Sequence, residues 1–385
     1  MSPSRFTLGV VSAVAAVAAT GATAGGFLLR QRRRGTPEPP RPFQQLDPDR
    51  TSTVQSEDGV PLHVEEVGPP DAPLTVVFGH GYALSLRSFY YQRVALTERF
   101  GDRIRLVFYD QRSHGRSGPS VPGSATIEQL GRDLYTVLDA VVPTGPIVLV
   151  GHSMGGMSLL SFAQQYPGQF AAAERATAAP KASRRTPPPA GPVRIVGVAL
   201  VATSAGRLAQ VSLGLPALIT RLRGPLAPLV LRGARRQAHL VEHSRRVGRD
   251  VAWIITRRFS FGSTDVSPQV VDFINDIIAG TRIETIADFY ATLMDYDLSC
   301  ALPVLRHTDV VIVAGDRDLM TPVGHSRAMA QALPSAQFVV AAGAGHVVIL
   351  EQPDVVDRAV ADLVARALVA VAGTAARTPE PGVEA

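Results

Sequence analysis

Gly151-His152-Ser153-Met154-Gly155 follows an apolar run at residues 147–150 and opens a helical pattern that continues to Tyr166. A serine with a glycine two residues away on each side is typical of a sharp turn from a strand into a helix, because glycine leaves room for its strained backbone. Such a turn pushes the serine hydroxyl out of the sheet edge, and the first amides of the helix point at any oxyanion formed there. The stretch therefore predicts a nucleophile elbow with Ser153 as the nucleophile.

A nucleophilic serine needs a base, because its hydroxyl attacks at neutral pH only when a histidine held by a carboxylate takes the proton. His346 lies in a glycine-rich loop after an apolar run at 337–341. Asp318 follows an apolar run at 310–314, in a loop where Asp316 is a second candidate for the acid. Spacing does not fully separate the two carboxylates, and we prefer Asp318.

Backbone donors for an oxyanion are expected from two turns. The apolar run at 74–78 is followed by Gly79-His80-Gly81-Tyr82, a turn after an earlier core strand. The amide of Tyr82 would then face the oxyanion together with the amide of Met154. Losing one such donor typically costs about 2.7 to 4 kcal/mol of transition-state stabilisation. We predict an oxyanion hole formed by Tyr82 and Met154.

Five sequence blocks between about residues 51 and 370 make the chain resemble the α/β-hydrolase-fold family, in its esterase, lipase and haloperoxidase-like group. The blocks are Gly79-His80-Gly81-Tyr82, Tyr109-Asp110-Gln111-Arg112-Ser113-His114-Gly115-Arg116-Ser117, Gly151-His152-Ser153-Met154-Gly155-Gly156, Gly315-Asp316-Arg317-Asp318 and Gly345-His346. The resemblance implies a triad of Ser153, Asp318 and His346, in the chain order of that fold, with Tyr82 and Met154 as the oxyanion hole.

Two comparisons with the family pattern refine this expectation. Relatives with epoxide hydrolase or dehalogenase activity carry aspartate at the elbow, so Ser153 argues against both activities. Ser113 stands where most relatives carry the first glycine of an Asp-x-Arg-Gly-x-Gly turn. That departure concerns a structural turn and leaves the triad alone.

Alternating strand and helix patterns predict an α/β fold with a mostly parallel sheet covered by helices on both faces. The predicted strands are 60–67, 74–78, 104–109, 147–150, 195–201, 310–314 and 337–341, and the clearest helices are 127–142 and 354–370. The expected core has two parts, 51–203 and 301–371. Between them, residues 204–300 carry helical apolar segments and are predicted to form a cap over the carboxyl ends of the strands, where it would decide the substrate.

Other segments are biased in composition. Residues 171–192 are rich in Ala, Arg, Thr and Pro, and predict an exposed, disordered insertion. Residues 35–50 predict a linker, and residues 372–385 a disordered tail. Arginine is dense in the predicted cap and suggests either a solvated helix face or a contact with anionic lipid. These arginines are Arg221, Arg223, Arg232, Arg235, Arg236, Arg245, Arg246, Arg249, Arg257 and Arg258.

The N-terminal segment, residues 1–34, predicts a membrane anchor. Residues 6–29 carry no charge, and as a helix they would span about 36 Å, enough for the hydrocarbon core of a bilayer. Arg5 precedes this stretch, and the arginines that follow it are Arg30, Arg32, Arg33, Arg34 and Arg41. The positive-inside rule then places the catalytic domain in the cytoplasm. The alternatives are a signal peptide cleaved near Ala22-Thr23-Ala24, giving a secreted protein, and an undocked helix.

Charge and cysteine content narrow the classes of partner. The net charge is +5, but aromatic residues make up 6% of the chain and no nucleic-acid motif is present. The single cysteine, Cys300, excludes an intrachain disulfide. We expect no cofactor and no nucleic-acid partner.

The sequence therefore predicts a serine hydrolase that cleaves a carboxylic ester of a moderately apolar acyl group, on a small-molecule or lipid-like substrate. Alternatives with the same triad are cleavage of a carbon–carbon bond, a thioester or a lactone, and acyl transfer to an alcohol. An inactive hydrolase fold serving as a scaffold is the alternative outside catalysis.

Overall fold

The computed structural model describes residues 43–170, 194–211 and 249–375, and these ranges contain one eight-stranded sheet. Its strands are β1 (Arg50–Gln55), β2 (Pro61–Val67), β3 (Leu74–Gly79), β4 (Ile104–Tyr109), β5 (Ile147–His152), β6 (Ile195–Val201), β7 (Asp309–Gly315) and β8 (Gln337–Ala341). The spatial order is β1-β2-β4-β3-β5-β6-β7-β8. β2 pairs antiparallel with β1 and β4, and the remaining neighbours are parallel.

The α-helices of the described ranges follow most of these strands. They are α1 (Tyr90–Phe100), α2 (Ile127–Val141), α3 (Met154–Gln165), α4 (Arg249–Ser260), α5 (Pro268–Ala279), α6 (Ile283–Asp295), α7 (Val323–Ala332), α8 (Val348–Glu351) and α9 (Pro353–Ala375). α2 shows how the sequence sets such a helix. The Thr126 hydroxyl accepts the amide of Gln129 at its start, and Leu130, Leu134 and Val137 form its buried face.

Both faces of the sheet are buried, which explains why the central strands are continuous apolar runs. Successive side chains point to opposite faces, so Leu149 packs in the cluster that contains α2 and α3. Val148 and Val150 pack in the other cluster, with α1 and α9. The sheet therefore holds the ends of β5, β6 and β7 rigidly beside one another, where the candidate site lies.

The α/β class and the mostly parallel sheet are confirmed, and each predicted strand corresponds to one in the structure. The edge strand β1 was not predicted, because its sequence Arg-Thr-Ser-Thr-Val-Gln is mostly polar and buries only Val54. α1, α7 and α8 were not predicted either, and α6 lies in the predicted helical segment 204–300 without having been predicted individually. α9 extends to Ala375, past the expected start of the tail at 372.

Several predictions fall outside the described residues: the anchor, most of the linker, the insertion at 171–192 and the cap segments at 213–222 and 228–231. The described part of the predicted cap consists mainly of α4, α5 and α6, and its role as a cap stays a prediction. None of the described helices has the length and apolar character that a membrane span requires.

Candidate active site

Ser153 lies between the end of β5 and the start of α3, in the conformation that an elbow requires. Its backbone has φ +52° and ψ −119°, a strained combination for a residue with a side chain. The flanking glycines are needed for close packing. A Cβ on Gly155 would overlap the carbonyl oxygen of Gly79, and one on Gly151 would lie 2.6 Å from the Cα of Gly156. The turn is thus both strained and enclosed.

The structure brings Ser153, His346 and Asp318 together. His346 Nε2 lies 2.9 Å from Ser153 Oγ, and His346 Nδ1 lies 2.9 Å from Asp318 Oδ2. All three residues are buried. A carboxylate only accepts, so the network assigns the ring proton to Nδ1 and leaves Nε2 as an acceptor for the serine hydroxyl. This is the tautomer in which the ring can act as a base toward Ser153.

Asp318 is held by donors on both of its oxygens. Oδ1 accepts the backbone amides of Met320 at 2.8 Å and Thr321 at 2.9 Å. The Thr321 hydroxyl lies 2.7 Å from Oδ2 and 2.9 Å from the carbonyl oxygen of Ala202. Burial alone would raise the pKa of Asp318, but the His346 ring and the Thr321 donors outweigh it and hold that pKa below its usual value. The carboxylate therefore remains ionised beside the imidazole.

The geometry, unlike the sequence spacing, distinguishes the two candidate acids, Asp316 and Asp318. Asp316 is exposed, and its Oδ1 accepts the amide of Gly343 at 2.6 Å. Asp318, two residues further on, is buried and contacts His346. The arrangement favours Asp318 as the partner of the imidazole and gives Asp316 a role in holding the turn at Gly343.

The predicted oxyanion turn packs directly against the elbow. Gly79 approaches Gly155, and a Cβ on Gly81 would lie 2.9 Å from Nδ1 of His152. Met154 is the first residue of α3, a position whose amide has no intrahelical acceptor. Tyr82 lies next to these glycines, and its hydroxyl donates to the carbonyl oxygen of Ile286 in α6. The assignment of the Tyr82 and Met154 amides to an oxyanion stays a prediction.

Three buried histidines support the loops of the site without acting as bases. His80 accepts the amide of Gln111 at Nε2 (2.9 Å), and His114 accepts the amide of Ala83 at Nε2 (3.2 Å). Burial lowers the pKa of His80 to about 4 and that of His114 to about 3. Both rings are thus neutral and serve as fixed acceptors. The sequence placed both histidines in motif turns but gave no sign that their side chains hold those turns.

His152 connects the elbow to the loop that carries the candidate base. Its Nε2 donates to the carbonyl oxygen of His346 at 3.0 Å. Burial lowers the pKa of His152 to about 3, and the neighbouring His346 ring adds to that effect. A protonated ring at this position would place a charge beside His346 in a buried site. His152 is a supporting residue that the motif alone did not reveal.

Ser113 occupies the left-handed conformation that glycine ordinarily takes, with φ +65°. Its Oγ lies 2.9 Å from Ser120 Oγ and accepts the amide of Ser120 at 2.8 Å. The turn is further fixed by Asp110, whose carboxylate accepts the amides of Leu86 and Arg116. The substitution of serine for glycine is thus a structural variation in this turn.

One of the predicted cap arginines, Arg257, fits neither interpretation of the arginine-rich segment. Arg257 in α4 is buried, with its guanidinium 5.9 Å from the ring of Phe261. Burial lowers the pKa of Arg257, against the influence of the Glu351 and Asp265 carboxylates. Arg257 therefore faces neither solvent nor a lipid surface, whereas Arg258 is exposed. The arginines from Arg221 to Arg246 and the side chain of Arg249 lie outside the described residues.

Comparison with known proteins gives a lipase as one sequence relative, and an esterase and a bromoperoxidase as solved structures of similar fold. A monoacylglycerol lipase of Mycolicibacterium smegmatis is 32% identical over 115 residues, which are 28% of this chain and 40% of the lipase. An esterase of Thermogutta terrifontis has the same fold, with a TM-score of 0.59 and 24% identity over 83% of this chain and 99% of the esterase. A bromoperoxidase of Bacillus anthracis gives a TM-score of 0.62 and 19% identity over 82% and 100% of the two chains.

These comparisons support different conclusions about fold and family. The solved structures show the fold, and the lipase match spans two fifths of that protein's length. Residues 76–359 match the sequence model of the alpha/beta hydrolase family, which is most of the chain. Because this match covers most of the chain, including the elbow and the loops of Asp318 and His346, the chain belongs to the alpha/beta hydrolase family.

Proposed function

We propose that the protein is a serine hydrolase that cleaves a carboxylic ester of a moderately apolar acyl group. The observation that carries this proposal is the His346 ring, which bonds Ser153 Oγ on one side and Asp318 Oδ2 on the other, each at 2.9 Å. Relatives named as a lipase and an esterase support an ester as the substrate class. We expect no cofactor to take part.

In the proposed reaction, Ser153 Oγ attacks the ester carbonyl carbon while His346 Nε2 takes the hydroxyl proton. The carbonyl oxygen becomes an oxyanion between the amides of Tyr82 and Met154. His346 then returns the proton to the leaving alcohol, and the acyl group remains on Ser153. A water molecule attacks this acyl-enzyme with His346 as base, and release of the acid restores the serine hydroxyl. Asp318 holds the ring and stabilises the imidazolium formed in each half-reaction.

Labelling with a fluorophosphonate tests the proposed nucleophile. Wild type, Ser153→Ala and His346→Ala would be compared, with Ser335→Ala and His307→Ala as controls at exposed positions. We expect the probe to label wild type and both controls. Turnover by Ser153→Ala, which lacks the nucleophile, should fall on the order of 10⁶-fold. Folded wild type that does not react with the probe would contradict the proposal and favour a scaffold role.

A panel of esters graded by acyl length tests the substrate. We expect the highest kcat/KM with an acyl chain of intermediate length. Thioesters, lactones and a diketone belong in the same panel, and product analysis with an added alcohol detects acyl transfer. Faster turnover of any of these compounds than of every ester would replace the ester in the proposal while retaining the triad.

We further propose that residues 6–29 anchor the protein in a membrane with the catalytic domain in the cytoplasm. The support is the uncharged stretch and the arginines after it. The full chain should stay with membranes after an alkaline wash, and a chain that begins at residue 35 should not. An N-terminus that begins after Ala24 in the mature protein would instead identify a cleaved signal.

A further inference from the structure

Glu351, the last residue of the short helix α8, binds two separate segments with one carboxylate. Its Oε1 accepts the amide of Ser263 at 2.7 Å, and the amide of Gly262 lies 3.0 Å from Oε1 and 3.1 Å from Oε2. Its Oε2 accepts the amide of Gly345 at 2.6 Å. Gly262 and Ser263 follow α4 in the predicted cap, and Gly345 immediately precedes His346. One side chain therefore joins the described cap to the loop of the candidate base.

The same two segments are in close contact along their backbones. The amide of Val347 donates to the carbonyl oxygen of Ser260 at 2.9 Å. A Cβ on Gly262 would lie 2.5 Å from the carbonyl oxygen of Gly343, and a Cβ on Gly345 would lie 2.5 Å from the nitrogen of Gly262. The residues on either side of His346 thus both bond to this part of the structure, Gly345 through Glu351 and Val347 directly.

Glu351 lies in surroundings that combine burial with several hydrogen-bond donors. Burial raises the pKa of Glu351 above its usual value, although the amides that it accepts and the charge of Arg257 act in the opposite direction. Hydrogen bonds from backbone amides to a carboxylate are stronger than those between neutral groups. Arg257 is itself buried in α4, so the cap supplies both amide donors and a positive charge to Glu351.

We propose that Glu351 is a positioning residue that fastens the His346 loop to the turn after α4. The alignment of His346 with Ser153 then depends on how this part of the cap is seated. Glu351 forms its hydrogen bonds with Gly262, Ser263 and Gly345 rather than with Ser153, and it acts through the Gly345 amide on the residue next in the chain. The inference rests on the proposed function of His346 as the base, because a displaced loop would lengthen the 2.9 Å contact between Nε2 and Ser153 Oγ.

Glu351→Gln tests this role with little change of volume. A carboxamide has one acceptor oxygen, and its NH₂ group would face an N–H donor whichever way it turns. If the oxygen takes the Oε1 position, the bond to Gly345 is lost; if it takes the Oε2 position, the bond to Ser263 is lost and Gly262 keeps one acceptor. We expect kcat for a short ester and the rate of fluorophosphonate labelling to fall roughly ten- to one-hundred-fold, with KM changed far less.

Asp309→Asn is the matched control. Like Glu351→Gln, it replaces a carboxylate with a carboxamide, but at Asp309, a partly exposed residue of β7 that forms an ion pair with Arg366. We expect labelling at the wild-type rate. Gly262→Ala provides a second approach from the cap side, since its methyl group would press on Gly343 and separate the segments without altering Glu351. It should slow labelling in the same way.

Hydrogen exchange at the Gly345 amide supplies a readout of the loop itself. Glu351→Gln should raise exchange at residues 343–347 in a protein whose circular dichroism is unchanged. Wild-type labelling rates in both Glu351→Gln and Gly262→Ala would overturn the inference, as would a change in KM and melting temperature with kcat retained. Failure of wild type to label would refute the proposed function instead, and would be seen before any variant is compared.

Discussion

Asp318→Asn is the most discriminating perturbation of the site, because the structure fixes how the new carboxamide must lie. The position of Oδ1 faces two backbone donors, the amides of Met320 and Thr321. An NH₂ group there would leave both donors unpaired, at about 1 to 3 kcal/mol each. The carboxamide oxygen therefore takes the Oδ1 position, and the NH₂ group takes that of Oδ2, facing Nδ1 of His346.

The consequence is a change of tautomer. With an NH₂ donor opposite it, Nδ1 of His346 must become the acceptor, so the ring proton moves to Nε2. Nε2 lies 2.9 Å from Ser153 Oγ and would then be unable to take the hydroxyl proton. The geometry is retained and the base is lost. A loss of this kind lowers kcat about 10⁴-fold, which corresponds to about 5.4 kcal/mol in the activation free energy.

Steady-state hydrolysis of an activated ester measures this loss, with circular dichroism to verify the fold. Asp316→Asn is the control, since it makes the same change two residues away on an exposed carboxylate. We expect the Asp316 variant to remain within a few-fold of wild type. Activity retained by Asp318→Asn, or abolished by Asp316→Asn alone, would refute the assignment of the acid and the tautomer reasoning with it.

Three further outcomes are expected. Burial lowers the pKa of three histidines from 6.5 to about 4 or about 3, so the unfolded state binds more protons below pH 6.5. They are His80, His114 and His152. Their contribution to stability is complete above about pH 6.5 and is lost as pH falls. Urea unfolding should show a loss of roughly 2 to 3 kcal/mol for each of the three histidines between about pH 7 and about pH 4.5, and a flat profile would contradict this. Gly155→Ala should lower labelling on the order of 100-fold by displacing Gly79, whereas Gly324→Ala, with no neighbour near its Cβ, should not. Ser113→Gly relieves a left-handed residue but removes the bond from Ser120, so the free energy of unfolding should change by less than about 1 kcal/mol in thermal denaturation.

The fold could be predicted from sequence because its signals are local. Buried parallel strands are continuous apolar runs, as at 147–150 and 310–314, and the glycines around Ser153 mark the turn between strand and helix. β1 was not predicted because an edge strand with one buried residue does not form a continuous apolar run. Pattern gives the class of structure most clearly where burial is complete.

The site could be predicted from the sequence only in part, because several of its features depend on contacts between segments that are distant in the chain. Asp316 and Asp318 look alike in sequence, and only the positions of Gly343 and His346 distinguish their partners. The same holds for His152, whose role depends on a carbonyl oxygen 194 positions away. The burial of Arg257 also follows from packing, since an arginine in a basic segment gives no sign of which face it occupies. The catalytic roles of the triad stay a prediction until the labelling experiment.

Contacts between residues 281–286, which end in the first turn of α6, and the turn around Tyr82 constrain how the substrate range of the proposed enzyme can be altered. The Tyr82 hydroxyl donates to the carbonyl oxygen of Ile286, and the Thr281 hydroxyl donates to the carbonyl oxygen of Ala83 at 3.1 Å. If residues 204–300 form the predicted cap, exchanging them for the cap of a relative would change the pocket but would also replace both partners. A designed chimera therefore has to retain a hydroxyl at position 281 and a helical carbonyl at position 286. Without them, we expect a change in specificity to be accompanied by a lower kcat.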